Sequence, residues 1–439
     1  MLSPIAWAQF SSVMAYDTPD GGATIVRNRS ASEVITYVYT NGKHRFTYEN
    51  NTSLNYRYFE LPSPTGFNKI EIRDFRIIDD VLYFCGANLG SNEGMIGCFK
   101  VAEMLNPPGI LVNVDFFDVQ YTSVLNRMEA YVDPATGSPR VAAVGYRYGY
   151  CGANACGVWV DCEGFLPGSS PTNVSVFKSY YLGPTDNELW EDVVSTDDWV
   201  VLVGFGLVGG QRKIILRRFH KGLPTDPEID KMYLYAESEP VVAEETRAVS
   251  IQTNDMAIVY RGIRTYNTTD FTKFRIFDID QMKNTNSQEY LIPYKSYIWE
   301  MAYMKQADRV VVLNDFPTPS LLSNFVYLIP YQTSAYSSVF VNDDWHFYSV
   351  TNLDGGFFVG AGPFHFLLRD ASAAYPANSV TPPPALCPAN YALRVGIIDN
   401  VAPNEFLDPL TGYFPTPTIS SGNSFTNPQI TLNIKCLSY

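Results

Sequence analysis

One short pattern recurs along this chain: a turn, a run of apolar residues, then a glycine. It is plainest at Ile77–Gly86 (IIDDVLYFCG) and returns at Pro139–Gly145 (PRVAAVG), Asp198–Gly204 (DWVVLVG), Asp255–Gly262 (DMAIVYRG) and Gly356–Gly360 (GFFVG). Two more copies carry asparagine in the place of glycine, Ala23–Asn28 (ATIVRN) and Arg309–Asn314 (RVVVLN). Glycine accepts positive φ without steric cost and asparagine is the next most tolerant residue, so the pattern predicts a strand ended by a left-handed turn. The apolar run is short and unbroken, as in a strand covered on both faces. Successive copies begin 58, 60, 58, 57, 53 and 48 residues apart. That spacing leaves room for several short strands per period and is too long and loose for a solenoid.

Each period divides into four strands. In the second they fall at 69–78, 81–85, 95–101 and 110–119, and in the fourth at 189–195, 199–203, 213–219 and 232–236. The acidic pairs Asp79-Asp80 and Asp197-Asp198 make the turn from first to second strand, because aspartate side chains cap nearby backbone amides. Asp343-Asp344 falls at another element end. Thirty tyrosines and 27 phenylalanines favour strands, and no convincing long amphipathic helix is found. Only Ala102–Leu105 suggests a helical turn.

Four short strands per drifting period of 50–60 residues predict an all-β chain, a seven-bladed β-propeller of four-stranded antiparallel blades. The blades are expected at 9–58, 59–120, 121–183, 184–238, 239–292, 293–341 and 342–371. Residues 372–439 hold 10 of the 29 prolines and read as an extended, Pro-rich C-terminal extension. Two strand-like pieces survive there, 392–398 and 429–437. One of them, or the N-terminal 5–9, is expected to supply the fourth strand that the last blade lacks and so to cover its edge. The repeat resembles the seven-bladed β-propeller superfamily over residues 9–371, and in its aromatic richness it is similar to secreted propellers of gut Bacteroidetes. WD40, sialidase Asp-box and kelch signatures are absent, so the resemblance implies architecture and no residue roles.

The first strand of each blade lines the channel of a propeller. Aligning those strands places an ionisable residue near the start of six: Arg73, Glu129, Glu191, Arg247, Glu300 and His346. Tryptophan precedes three of them (Trp190, Trp299, Trp345), and strand alternation would then put the tryptophans between blades. The set reads either as a wet polar channel crossed by ion pairs, such as Arg73 with Glu129, or as a binding funnel for a polar ligand or a bound cation. Tyr146, Tyr148, Tyr150 and Tyr297 fall where rim loops are expected and suit stacking on sugars or a protein hot spot. Glu129, Glu191 and Glu300 could also provide the carboxylate pair of a polysaccharide hydrolase or lyase. The leading expectation is a non-catalytic binding or scaffold protein for a glycan or protein partner, with hydrolase or lyase as the alternative.

The net charge of −14 argues against nucleic acid and anionic membranes as partners. No apolar run reaches the length of a membrane span. No zinc, Walker A, GxSxG or EF-hand pattern occurs, so neither metal nor cofactor is expected. Cys151 with Cys156, and Cys387 with Cys436, are candidate disulfides, with buried free thiols as the alternative. Asn51, Asn173 and Asn267 begin triplets that fit the glycosylation pattern. A monomer is expected, periplasmic or extracellular with its leader missing from this sequence, or else cytoplasmic.

Overall fold

The computed structural model describes residues 25–40, 43–50, 56–61, 70–105, 114–151, 154–178, 188–208, 211–221, 231–235, 241–264, 270–284, 290–292, 297–305, 308–316, 322–328, 336–341, 347–353, 356–361, 364–370, 391–395, 430–432 and 434–438. Nearly all of them are in antiparallel strands, and the one described α-helix is the single turn Val101–Met104. The chain forms two compact units, Pro62–Lys295 and the remainder, Met1–Leu61 with Ser296–Tyr439.

In the Pro62–Lys295 unit, Ile70–Ile78, Val81–Asn88 and Glu93–Lys100 pair in order with the long strand Asp115–Val132. That strand continues into a second sheet with Pro139–Cys151, Asn154–Glu163 and Asn173–Lys178. It therefore serves as fourth strand of one sheet and first strand of the next. Glu188–Ser195, Trp199–Val208, Gln211–His220 and Lys231–Tyr235 make the following sheet. Val241–Gln252, Asp255–Arg264 and Asp270–Asp278 make another, whose outer edge is shared by Lys283–Asn284 and Tyr290–Ile292.

The sheets of this unit stack face to face, and the apolar second strands show how. Val141 and Ala143 point into a core shared with Tyr83, Cys85 and Cys98 of the preceding sheet. Ala142 and Val144, the alternate residues, point into a core shared with Trp190, Val200 and Leu202 of the following sheet. Val201 and Val203 turn the other way, against Met256, Ile258 and Tyr260. Period-two alternation between two cores explains why the middle of this strand type is apolar on both faces.

The other unit holds the sheet Ile25–Asn28, Glu33–Thr40, Lys43–Asn50, Tyr56–Glu60 and the sheet Tyr297–Met304, Arg309–Phe316, Leu322–Leu328, Tyr336–Val341. A third sheet runs Phe347–Leu353, Gly356–Ala361, Phe364–Asp370 and then Ile430–Leu432, with Leu368 opposite Leu432. Its fourth strand thus comes from the distant C-terminal segment. Tyr391–Val395 pairs separately with Ile434–Ser438.

Two expectations change. Ala23–Asn28 was expected as a second strand; among the described residues Ile25–Asn28 is instead the first strand of its sheet, paired with Glu33–Thr40. Both strand types are short and buried, so apolar content does not separate them. The repeat glycines also do not end the strand. Gly86, Gly145 and Gly204 lie inside their strands, and none of them has positive φ. Each faces a β-bulge in the first strand, between Ile72 and Asp74, Leu125 and Arg127, and Trp190 and Asp192. The bulge pushes a carbonyl to the place a Cβ would occupy: 1.7 Å from Glu71 O at Gly86, and 1.9 Å from Val124 O and Leu189 O at Gly145 and Gly204. Close backbone approach, rather than a turn, demands the glycine. The left-handed turn is at Asp79-Asp80 itself, with φ of 47° and 66°, the geometry of a two-residue hairpin.

Candidate functional site

The bulge adds one residue to the first strand, and both its own residue and the next carry polar groups. The residue after the bulge turns inward in three sheets. Asp74 is fully buried, and its carboxylate accepts from Phe75 N at 2.8 Å and from Met128 N of the neighbouring first strand at 3.1 Å. Asp192 repeats this with Val193 N at 2.9 Å and Ala248 N at 3.0 Å. Glu300 does so in the other unit, accepting from Val350 N at 2.9 Å. Burial pushes the Asp192 carboxyl up, against the pull of the Arg127 and Arg247 guanidiniums.

Aligned positions of the first strands hold Arg27, Asp74, Arg127, Asp192, Arg247, Glu300 and Ser349, opposite Ile35, Cys85, Val144, Val203, Val259, Leu313 and Gly360 of the second strands, although the bulge of Val241–Gln252 falls earlier, between Ala243 and Glu245, and the pairing of Ile25–Asn28 shows no bulge. In chain order the signs alternate, and the last member is neutral. Around Glu300 the alternation is a direct network. Arg27 grips it with two bonds, Nη2 to Oε1 at 2.6 Å and Nη1 to Oε2 at 3.0 Å. Ser349 Oγ donates to Glu300 at 2.5 Å while accepting from Arg27 Nη1 at 2.7 Å and Val26 N at 3.1 Å. Arg27, Glu300 and Ser349 are all buried. A buried charge so fully satisfied is structural, because removing either partner strands the other.

The bulged residues themselves, Arg73, Asn126 and Glu191, stay half-exposed and form a second, outward polar set in the Pro62–Lys295 unit. Arg73 pairs with Glu71 at 2.8 Å and donates to Asn126 Oδ1 at 2.9 Å. Asn126 in turn bonds the Tyr146 phenol. Arg247 donates to Glu191 Oε2 at 3.3 Å. Burial raises the Tyr146 pKa, helped by the nearby Glu191 carboxylate and opposed by Arg73 and Arg247, so its phenol is a donor at neutral pH.

The structure thus brings Arg73, Tyr146, Glu191 and Arg247 into one neighbourhood and places Glu300 in a buried lock. Glu129 meets Arg76 at 3.3 Å, and Arg76 also pairs with Asp74 at 2.7 Å, which replaces the expected Arg73–Glu129 pair. Trp190 is buried between sheets, as alternation requires. His346 and Cys387 lie outside the described residues, as do the side chains of Tyr148, Tyr150, Tyr297, Cys151, Cys156 and Cys436. Cys85, Cys98 and Cys162 are buried free thiols of a single core, their pKa values raised by burial.

Asp74, Arg127 and Asp192 were missed by sequence reasoning, and so was a buried cluster beside the Pro139 strand. There Arg140 pairs with Asp133 at 2.9 Å and Asp161 at 2.5 Å, and Tyr131 donates to Asp161 at 3.2 Å. The strand-end pattern of Asp133, Arg140 and Asp161 offers no local motif. Among the described residues no group of His, Cys, Asp and Glu is arranged to hold a metal ion. No helix of the described residues is long and apolar enough to cross a membrane.

Four-stranded antiparallel sheets stacked face to face, with first strands side by side, define a β-propeller. No protein-family model matches the chain, and no curated protein sequence does. Solved structures do match. Hydrazine synthase of Kuenenia stuttgartiensis superposes with a TM-score of 0.54 at 9% identity, over 80% of this chain and 96% of that one. The β-propeller domain of the Trilobed protease from Pyrococcus furiosus gives 0.44 at 9% identity, over 77% and 93%. The Dos1 propeller gives 0.44 at 10% identity, over 76% and 73%. At such identities the likeness is one of fold alone.

Proposed function

We propose that the chain is a seven-bladed propeller that binds rather than reacts, taking a glycan or a protein partner on the side of its half-exposed bulge residues. Seven register-equivalent positions support the blade count. Pairing of Ile430–Leu432 with Phe364–Asp370 supports the Pro-rich extension as the segment that completes the last blade. One observation carries the preference for binding: the first-strand carboxylates are committed. Asp74, Asp192 and Glu300 hold backbone amides of neighbouring strands, while Glu129 and Glu191 are paired with guanidiniums. A hydrolase or lyase needs a carboxyl poised for proton transfer, or two carboxyls spaced about 5–10 Å apart around a substrate.

The test combines a glycan microarray with a broad polysaccharide digest, using wild type, Glu129→Gln and Glu191→Gln. Glu300→Gln is unsuitable, because stranding Arg27 would cost about 3–5 kcal/mol of stability. Binding without turnover is expected. Turnover that Glu191→Gln abolishes would establish the hydrolase or lyase alternative. A blank array and a blank digest would leave a protein partner as the ligand.

A further inference from the structure

We infer that the ligand is an uncharged, hydroxyl-rich oligosaccharide held by Glu71, Arg73, Asn126, Tyr146, Glu191 and Arg247. This rests on the glycan-binding reading above and adds the chemical class. These six residues come from four successive first strands and one second strand of a single compact unit. The two arginines and two glutamates sum to zero charge. Each arginine lies beside a carboxylate, Arg73 by Glu71 at 2.8 Å and Arg247 by Glu191 at 3.3 Å, and none of the four is fully buried. An acidic ligand would have to displace a glutamate from its guanidinium, and a cationic one an arginine from its carboxylate.

A hydroxyl needs neither exchange. It has one donor and two acceptor sites, so it can give its proton to a carboxylate while accepting from the adjacent guanidinium. Asn126 and the protonated Tyr146 phenol add the same mixed capacity, and the tyrosine ring offers a face for a sugar ring. The net charge of −14 acts in the same direction by repelling polyanions at long range.

Isothermal titration with cellohexaose, xylohexaose and mannohexaose as neutral probes, and hexagalacturonate as the acidic one, tests this. At least one neutral probe is expected to bind, with little dependence on salt, and hexagalacturonate is not. Tyr146→Phe and Arg73→Gln should each weaken the neutral probe by about tenfold, the worth of one strong hydrogen bond. Circular dichroism and the urea midpoint of each variant separate loss of contact from loss of fold. Hexagalacturonate binding in place of the neutral probes would overturn the inference and leave glycan binding standing. If no saccharide binds, both fall. Neutral binding unchanged in folded Tyr146→Phe and Arg73→Gln proteins would reject these residues as the site.

Discussion

At Gly86, Gly145 and Gly204 the missing side chain is the structural requirement. A methyl at Gly145 would overlap Val124 O at 1.9 Å and also meet Leu125 Cα at 2.8 Å, and both are backbone atoms that cannot swing aside. Gly145→Ala is therefore expected to lower stability by about 3 kcal/mol in urea unfolding. Gly137→Ala is the matched control. Its φ is +70° with nothing within 4 Å, so only the conformational cost of about 1 kcal/mol applies. Equal losses at the two sites would mean that the bulge yields. Asp192 gives the second residue-scale expectation. Burial raises its folded pKa above the unfolded value of about 3.9, so ionising it costs stability at neutral pH. The cost fades as pH falls through the folded pKa toward the unfolded one. Wild type should thus gain stability relative to Asp192→Asn between pH 7 and pH 4, read from urea midpoints. A relative loss on acidification would reverse the assigned direction.

At the scale of single strands, much was legible in the sequence. Asp79-Asp80 and the apolar run after it predict a hairpin, and Ile70–Ile78, Val81–Asn88 and Glu93–Lys100 lie within a few residues of the strands expected there. The bulge was not legible. Alternation assumes a regular strand, and one inserted residue moves every later side chain by one step. For that reason the aligned ionisable positions single out Arg73 and Glu191, while Asp74 and Asp192, their immediate neighbours, make the buried bonds to backbone amides. The bulged strand nonetheless left a mark: a glycine embedded in an otherwise apolar second strand signals close backbone approach opposite it. Ile25–Asn28 shows the other limit. Buried first and second strands share composition, and only pairing distinguishes them.

For the whole molecule, the repeat period predicted the architecture, whereas long-range partners depended on three-dimensional pairing. The fourth strand opposite Phe364–Asp370 comes from Ile430–Leu432, about sixty residues further on, through a Pro-rich stretch with no repeat signal. Truncation after residue 428 should expose the Phe364–Asp370 edge, which would lower the thermal midpoint and increase light scattering on heating. Unchanged melting and scattering would show that the C-terminal strand is dispensable.

The alternation of Arg27, Asp74, Arg127, Asp192, Arg247 and Glu300 has a counting consequence. Two signs cannot alternate around a circle with an odd number of places, so in the seven-bladed ring proposed above the pattern would break once. Ser349 is the neutral member, donating to the Glu300 carboxylate and accepting from the Arg27 guanidinium. In such a ring, parity would make the pair of blades, not the single blade, the unit that can be duplicated or deleted without setting like charges side by side.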